Sequence, residues 1–132
     1  MFSTGVDIIR IARIERAVTR FGQRFLDRVF TPDEVRYSRR HPSELAARFA
    51  AKEAVSKVLG VGMRVLSPHG IGWLDVETLN HRGGKPYIIL HNRAKDLAEK
   101  QGLFEWDVSL SHDGGIAIAF VIASTTNNQA GG

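Results

Sequence analysis

The residues with the most chemical promise are a carboxylate and an ammonium on one apolar segment, Arg48-Phe-Ala-Ala-Lys-Glu-Ala-Val-Ser-Lys-Val-Leu-Gly60. Ala46, Phe49, Glu53 and Lys57 recur at spacings of three and four, which places them along one side of a helix. Ala47, Ala50, Ala51, Ala54, Val55 and Val58 cover much of the rest, so the helix is expected to be packed on several sides. Charges on such a helix are costly to desolvate unless something compensates them. The ordinary reading is an i, i+4 pair of Glu53 with Lys57, worth roughly a few tenths of a kcal/mol. Asp7 has an ordinary reading too, as a cap for the helix that follows it. A second reading is chemical. If the first strand ends beside the helix, Asp7 and Glu53 converge, and two carboxylates in a chain without cysteine suit Mg²⁺. Lys57, one turn beyond Glu53, would then meet a phosphate leaving group. Spacing alone leaves both readings open.

Other candidates carry less. His41, His69, His81, His91 and His112 are scattered without a helical i, i+4 pair, which argues against zinc. Ser109, Ser111, His112 and Asp113 suggest a catalytic triad, but neighbouring strand residues point to opposite faces and no Gly-x-Ser-x-Gly elbow is present. Gly83-Gly84-Lys85-Pro86 reads as a turn with an exposed lysine, and neither a phosphate-binding Walker loop nor a dinucleotide fingerprint occurs.

The elements that must position these residues follow from periodicity and punctuation. Thr4-Gly-Val-Asp-Ile-Ile9 predicts a short strand running into a helix. In that helix Ile11, Ile14, Val18, Phe21 and Phe25 form one apolar stripe, and Arg13, Arg16, Arg20 and Arg24 a second, basic one. Thr31-Pro-Asp-Glu34 has the form of a capping box with proline at the first helical position. Ser43 is the expected cap of the next helix, which runs to about Leu59 and stops at Gly60 and Gly62. Trp73–Leu79 and Lys85–Leu90 predict a hairpin across His81–Gly84. Asn92–Gln101 predicts a helix stopped by Gly102, and Trp106–Ser111 with Ile116–Ile122 predict strands around Asp113-Gly-Gly115. Helices followed mostly by antiparallel strands give an α+β class. Residues 1–123 are expected to form one domain and residues 124–132 a disordered tail.

Composition narrows the classes. The 132 residues are 43% hydrophobic and 24% charged, the balance of an ordinary globular domain. Zero cysteines exclude disulfides, zinc–thiolate sites, iron–sulfur clusters and thiol nucleophiles. No apolar stretch approaches the roughly 18 residues of a membrane span, and Asp7 and Arg10 interrupt any signal-peptide core. A cytoplasmic chain is expected. The net charge of +4 is uneven: residues 1–66 hold 13 Lys/Arg against 7 Asp/Glu, and residues 67–132 hold 5 against 7. The first half therefore suits a local acidic partner.

In combination, Gly5-Val-Asp-Ile8, Phe30-Thr-Pro-Asp-Glu34, Arg48-Phe-Ala-Ala-Lys-Glu-Ala54 with Lys57, Gly84-Lys-Pro86 and Val108-Ser-Leu-Ser-His112 resemble the holo-[acyl-carrier-protein] synthase family, the small 4'-phosphopantetheinyl transferases. The resemblance spans about Gly5 to Val121. It implies that fold, with N-terminal helices packed on a small antiparallel sheet and three chains assembled as a homotrimer. The implied reaction moves the 4'-phosphopantetheine arm of coenzyme A to a serine of apo acyl carrier protein, in support of fatty acid biosynthesis, and leaves adenosine 3',5'-bisphosphate. By the same resemblance Asp7 and Glu53 bind Mg²⁺ and Glu53, directly or through a water, takes the serine proton. Lys57 stabilises the departing phosphate. Arg48, Gly84, Lys85, Pro86, Ser111 and His112 resemble the coenzyme A site, although Arg48 has a structural alternative in an ion pair with Glu44. Arg13, Arg20 and Arg24 would dock the acidic carrier protein.

Two other classes compete. A nucleic-acid-binding module would use the basic first half, but the arginine stripe lacks interleaved aromatics and no binding signature is present, so no nucleic acid is expected. A Mg²⁺-dependent phosphohydrolase would use the same carboxylates with water as nucleophile. A purely structural trimer explains neither Asp7 nor Glu53.

Overall fold

The structure, a computed structural model, describes residues 1–125. Five strands and five helices alternate in the order β1 (Phe2–Arg10), α1 (Ile11–Phe21), α2 (Gln23–Val29), α3 (Pro32–Ser38), α4 (Pro42–Leu59), β2 (Val76–Asn80), β3 (Pro86–Leu90), α5 (Asn92–Lys100), β4 (Leu103–Asp113) and β5 (Ile116–Thr125). The α+β class is as expected, with two antiparallel sheets. One has the order β1-β5-β4 and the other is the β2–β3 hairpin.

Helix α4 is the hub. Its sides are buried against β1, β5, β4, α1, α3, β2 and α5, because apolar side chains surround it. On the sheet, Gly5, Ile9, Val108, Ala117, Ala119, Val121 and Ala123 turn inward to meet it. Small residues on both surfaces bring backbone close to backbone. A Cβ placed on Gly5 would lie 2.1 Å from the carbonyl oxygen of Ala54. The outward residues of the same strands include Val6, Ile8, Ile116 and Phe120, all exposed.

Several boundaries differ from the sequence expectation, each for a local reason. The first helix is two, since Gly22 adopts φ 58° and accepts from Leu26 as α2 begins. Arg24 therefore leaves the basic stripe of α1 and sits on α2, and Phe21 is 53% exposed at the break. Helix α4 begins at Pro42 with His41 as its N-cap, so Ser43 is inside the helix. Pro32 and Pro42 both occupy first-turn positions, where a missing N–H costs nothing. Trp73–Asp75 is a single 3-10 turn before β2. Finally, β5 continues through Ser124 and Thr125, two residues into the expected tail, because Ser124 pairs with Phe2 and Thr125 N–H donates to Met1 O at 3.1 Å. The rest of that tail lies outside the described residues. No helix among the described residues is long and apolar enough to cross a membrane.

Candidate active site

Asp7 is in the middle of β1, opposite Ala119, and belongs to the inward-facing set that meets α4. It caps nothing: the N-cap of α1 is Arg10, without a side-chain hydrogen bond. The close approach at Gly5, two residues earlier, holds this part of β1 against the Glu53 turn of α4. Lys57 Nζ donates to Val6 O at 2.8 Å and to Asp7 Oδ1 at 3.2 Å, so its ion pair runs to β1, not to Glu53.

Glu53 is left half-buried with no side-chain hydrogen bond or ion pair among the described residues. Burial pushes its carboxyl above the usual glutamate value, and the nearby Asp7 charge pushes it further, while Arg13 and Lys57 oppose the rise. Two carboxylates are thus held close with only one of them paired. The donor set is all oxygen and one carboxylate has open lone pairs, which fits a hard divalent cation completed by water and phosphate oxygens. No cluster of three or more potential metal-ligating side chains occurs among the described residues, so the chain offers the two carboxylates alone.

The residues expected at a nucleotide gather on another side of α4. Arg48 and Glu53 are roughly 140° apart around the helix. Arg48 is wholly buried, and its guanidinium donates to Glu44 Oε1 at 2.8 Å, Glu44 O at 3.2 Å, Thr78 O at 3.3 Å and Asn80 Oδ1. The alternative ion pair with Glu44 is therefore formed, and a ligand reaches this guanidinium only by displacing such partners. Its plane also lies 4.9 Å from the Tyr37 ring. Asn80 passes the network to the hairpin turn by donating to Gly84 O at 2.8 Å. Outside this network an open cleft of about 710 Å³ is lined by Arg36, Tyr37, Arg39, His41, Asn80 and Tyr87 among others.

Lys85 directly precedes Pro86, the first residue of β3, and its Nζ donates to Asp107 Oδ1 at 3.0 Å. That bond, with one from Val108 N–H, holds the Asp107 carboxyl below its usual value. Ser111 and His112 lie near the far end of β4, opposite Ile118 and Ala117, and both are exposed. The structure brings Arg48 and Gly84 together through Asn80, and separates them from Asp7, Glu53 and Lys57 within one chain.

On α1, Arg13 and Arg20 are exposed. Arg13 lies 5.7 Å from the Phe49 ring, which stacks on Trp73 at 4.6 Å. Arg20 lies 5.3 Å from the Phe21 ring. A further group escaped the sequence reading: Lys52 is buried against Glu34, and Glu77 joins Thr31 at 2.6 Å to His91 at 3.0 Å. The available signal was Lys52 itself, an ammonium on a helix rich in alanine and valine.

Comparison with known proteins adds an independent line. The family model described as the 4'-phosphopantetheinyl transferase superfamily matches residues 3–121. A holo-[acyl-carrier-protein] synthase of Herpetosiphon aurantiacus is 47% identical, covering 92% of this chain and 98% of that one. Another from Moorella thermoacetica is 46% identical over 99% of this chain and 100% of its own. Among solved structures, Helicobacter pylori holo-[acyl-carrier-protein] synthase in complex with coenzyme A is similar with a TM-score of 0.81 and 36% identity, covering 92% of this chain and 99% of that one.

Proposed function

Because the chain belongs to the 4'-phosphopantetheinyl transferase superfamily, we propose that it transfers the 4'-phosphopantetheine arm of coenzyme A to a serine of apo acyl carrier protein. The products are holo carrier protein and adenosine 3',5'-bisphosphate. The observation that carries this reading is the Asp7–Glu53–Lys57 group, with its unpaired, half-buried carboxylate beside a second one and an ammonium within reach.

Asp7 and Glu53 would hold Mg²⁺, which when bound supplies positive charge to the diphosphate of coenzyme A. Glu53, directly or through a water, takes the proton of the attacking serine hydroxyl. The serine oxygen forms a bond to the β-phosphorus as the bond from that phosphorus to the bridging oxygen breaks. Lys57, held by the Val6 carbonyl and Asp7, offers its ammonium to the departing phosphate.

The nucleotide is bound by Arg48, Gly84, Lys85, Pro86, Ser111 and His112, with Arg48 acting from behind Glu44 and Asn80. Arg13 and Arg20 on α1, and Arg24 on α2, receive the acidic carrier protein. Placement of Arg48 and Glu53 on different sides of α4 supports a site completed by a neighbouring copy. The outward face of β1-β5-β4 supports the same reading, because Val6, Ile8, Ile116 and Phe120 form an exposed apolar strip that a homotrimer would bury. Ser111 shares this face, opposite Ile118. A cytoplasmic setting suits a cysteine-free enzyme acting on coenzyme A.

The test is intact-mass spectrometry of apo acyl carrier protein incubated with this chain, coenzyme A and Mg²⁺. A gain of one phosphopantetheine arm is expected, and it should disappear without metal or with a carrier whose serine is alanine. Release of free phosphopantetheine with no carrier modified would replace the transferase reading with hydrolysis.

A further inference from the structure

Away from this site, the most deeply buried charges are Lys52 and Glu34, both 0% exposed at the side chain and 2.8 Å apart. Lys52 Nζ donates to Glu34 Oε1, to Trp73 O at 3.0 Å and to Val76 O, which uses all its protons. Glu34 in turn accepts from Thr31 N at 3.0 Å and Thr78 N at 2.9 Å. Five hydrogen bonds thereby tie α4 to the start of α3, to the turn before β2 and to β2 itself.

Stability is a poor account of such a pair. Desolvating two charges offsets much of their attraction, and apolar replacements of similar size are often neutral or better.

Geometry gives a better account. Where α4 meets the sheet, Ala54 and Val58 lie over Gly5, and Ala47, Ala50, Ala51 and the alanines of β5 are all buried. Apolar contact between small residues is non-directional and only weakly resists rotation of the helix about its axis. Hydrogen bonds from an ammonium to three fixed acceptors resist it strongly. Glu53 is the next residue, so any rotation that frees Lys52 turns Glu53 away from Asp7.

We infer that Lys52, held by Glu34, is a positioning residue that sets the rotation of α4 so that the Glu53 carboxylate meets Asp7. The inference rests on the transferase reading above. The same ammonium fixes Trp73 through its carbonyl, and the Trp73 ring backs Phe49 one turn before Glu53.

The experiment compares wild type, Lys52→Met, and the double variant Lys52→Met with Glu34→Gln, in which the glutamine oxygen keeps the capping-box bond from Thr31 N–H while the bond from Thr78 N–H is given up. The single change leaves a buried carboxylate unpaired and should be strongly destabilising. The double change removes the charge imbalance and should recover most of the lost Tm. In the folded double variant kcat should stay about a hundredfold down while the KM for coenzyme A changes little, as expected for a reacting group misplaced by about 1 Å. Mn²⁺ affinity, read by electron paramagnetic resonance with coenzyme A present, should fall as well. A double variant with recovered Tm and with kcat and Mn²⁺ affinity within about threefold of wild type would overturn the positioning role. If the double variant does not fold, Lys52→Met alone, assayed at a temperature where it is folded, serves: unchanged kcat and Mn²⁺ affinity in that folded protein overturn it equally. A wild-type chain that transfers nothing would defeat the functional reading instead, and the two failures are thus distinct.

Discussion

Replacing Gly5 with alanine should damage both the fold and the chemistry, by one displacement. The added Cβ would lie 2.1 Å from Ala54 O, 3.1 Å from the Ala54 carbonyl carbon and 3.1 Å from Val58 Cγ2, whereas ordinary contact starts at 3.4 Å. Strand β1 and helix α4 must therefore part by about 1.3 Å, and the obstacle is backbone, which has no rotamer to yield. Overpacking of this kind costs about 1–3 kcal/mol. For a domain of this size that is roughly 3–15 °C in Tm. The same movement separates Asp7, two residues along β1, from Glu53, adjacent to Ala54 on α4. A misplacement near 1 Å typically lowers turnover about a hundredfold. Calorimetry at fixed protein concentration and mass-spectrometric transfer kinetics would measure the two effects. Wild-type Tm together with wild-type kcat in Gly5→Ala would refute the argument that this contact sets the spacing of the carboxylates. A loss of Tm with kcat intact would refute only its catalytic half.

Glu53→Gln should lower kcat by about 10²–10⁴-fold with the fold retained by circular dichroism, and full activity would remove Glu53 from the mechanism. The same variant carries a pH signature in the metal-free protein. A carboxyl whose proton affinity is raised on folding penalises the folded state at neutral pH, and the penalty vanishes as pH falls below the ordinary value of 4.5. Glu53→Gln should accordingly raise Tm relative to wild type at neutral pH, with a gap that closes on acidification; a gap independent of pH would contradict the assigned shift. Arg20→Glu should raise the KM for carrier protein by about tenfold with little change for coenzyme A. It is a cleaner probe than Arg13→Glu, because Arg13 also acts on the charge of Glu53, and equal effects on both substrates would argue against docking. Phe120→Lys, on the apolar outer sheet face, should shift the sedimentation of the chain towards monomer, and an unchanged oligomer would exclude that face as the interface.

What is legible in the sequence is local. The Thr31–Glu34 capping box, the stop at Gly60 with φ 76°, and the turn at Gly84 with φ 100° each depend on residues within a few positions. The helical stripe on α1 is legible for the same reason, up to the point where Gly22 breaks it. The non-local contacts are a different matter. Lys57 has a sequence neighbour of opposite charge one turn away and pairs instead with Asp7, 50 positions distant. Glu34 reads as a cap and is one, but its second function as the counter-ion of Lys52 depends on how α3 meets β2. Arg48 carries a hint of its structural role in Glu44, whereas Asn80 and the Thr78 carbonyl could be found only by folding the hairpin onto α4.

The order of the strands bears on how the chain reaches this state. Strand β1 finds its hydrogen-bonded partner only in β5, with Phe2 opposite Ser124 and Asp7 opposite Ala119. Strand β1 must wait for β5, far along the chain, before its backbone is satisfied. Pairings this distant pay the loop-closure entropy before any contact rewards it, and they slow folding. During synthesis α4 and the β2–β3 hairpin can come together, while Asp7 has no fixed place until Ala119 has been added. A nascent chain ending before Ile116 should therefore remain open to proteolysis at β1, and the two carboxylates would first meet only once β5 has been made.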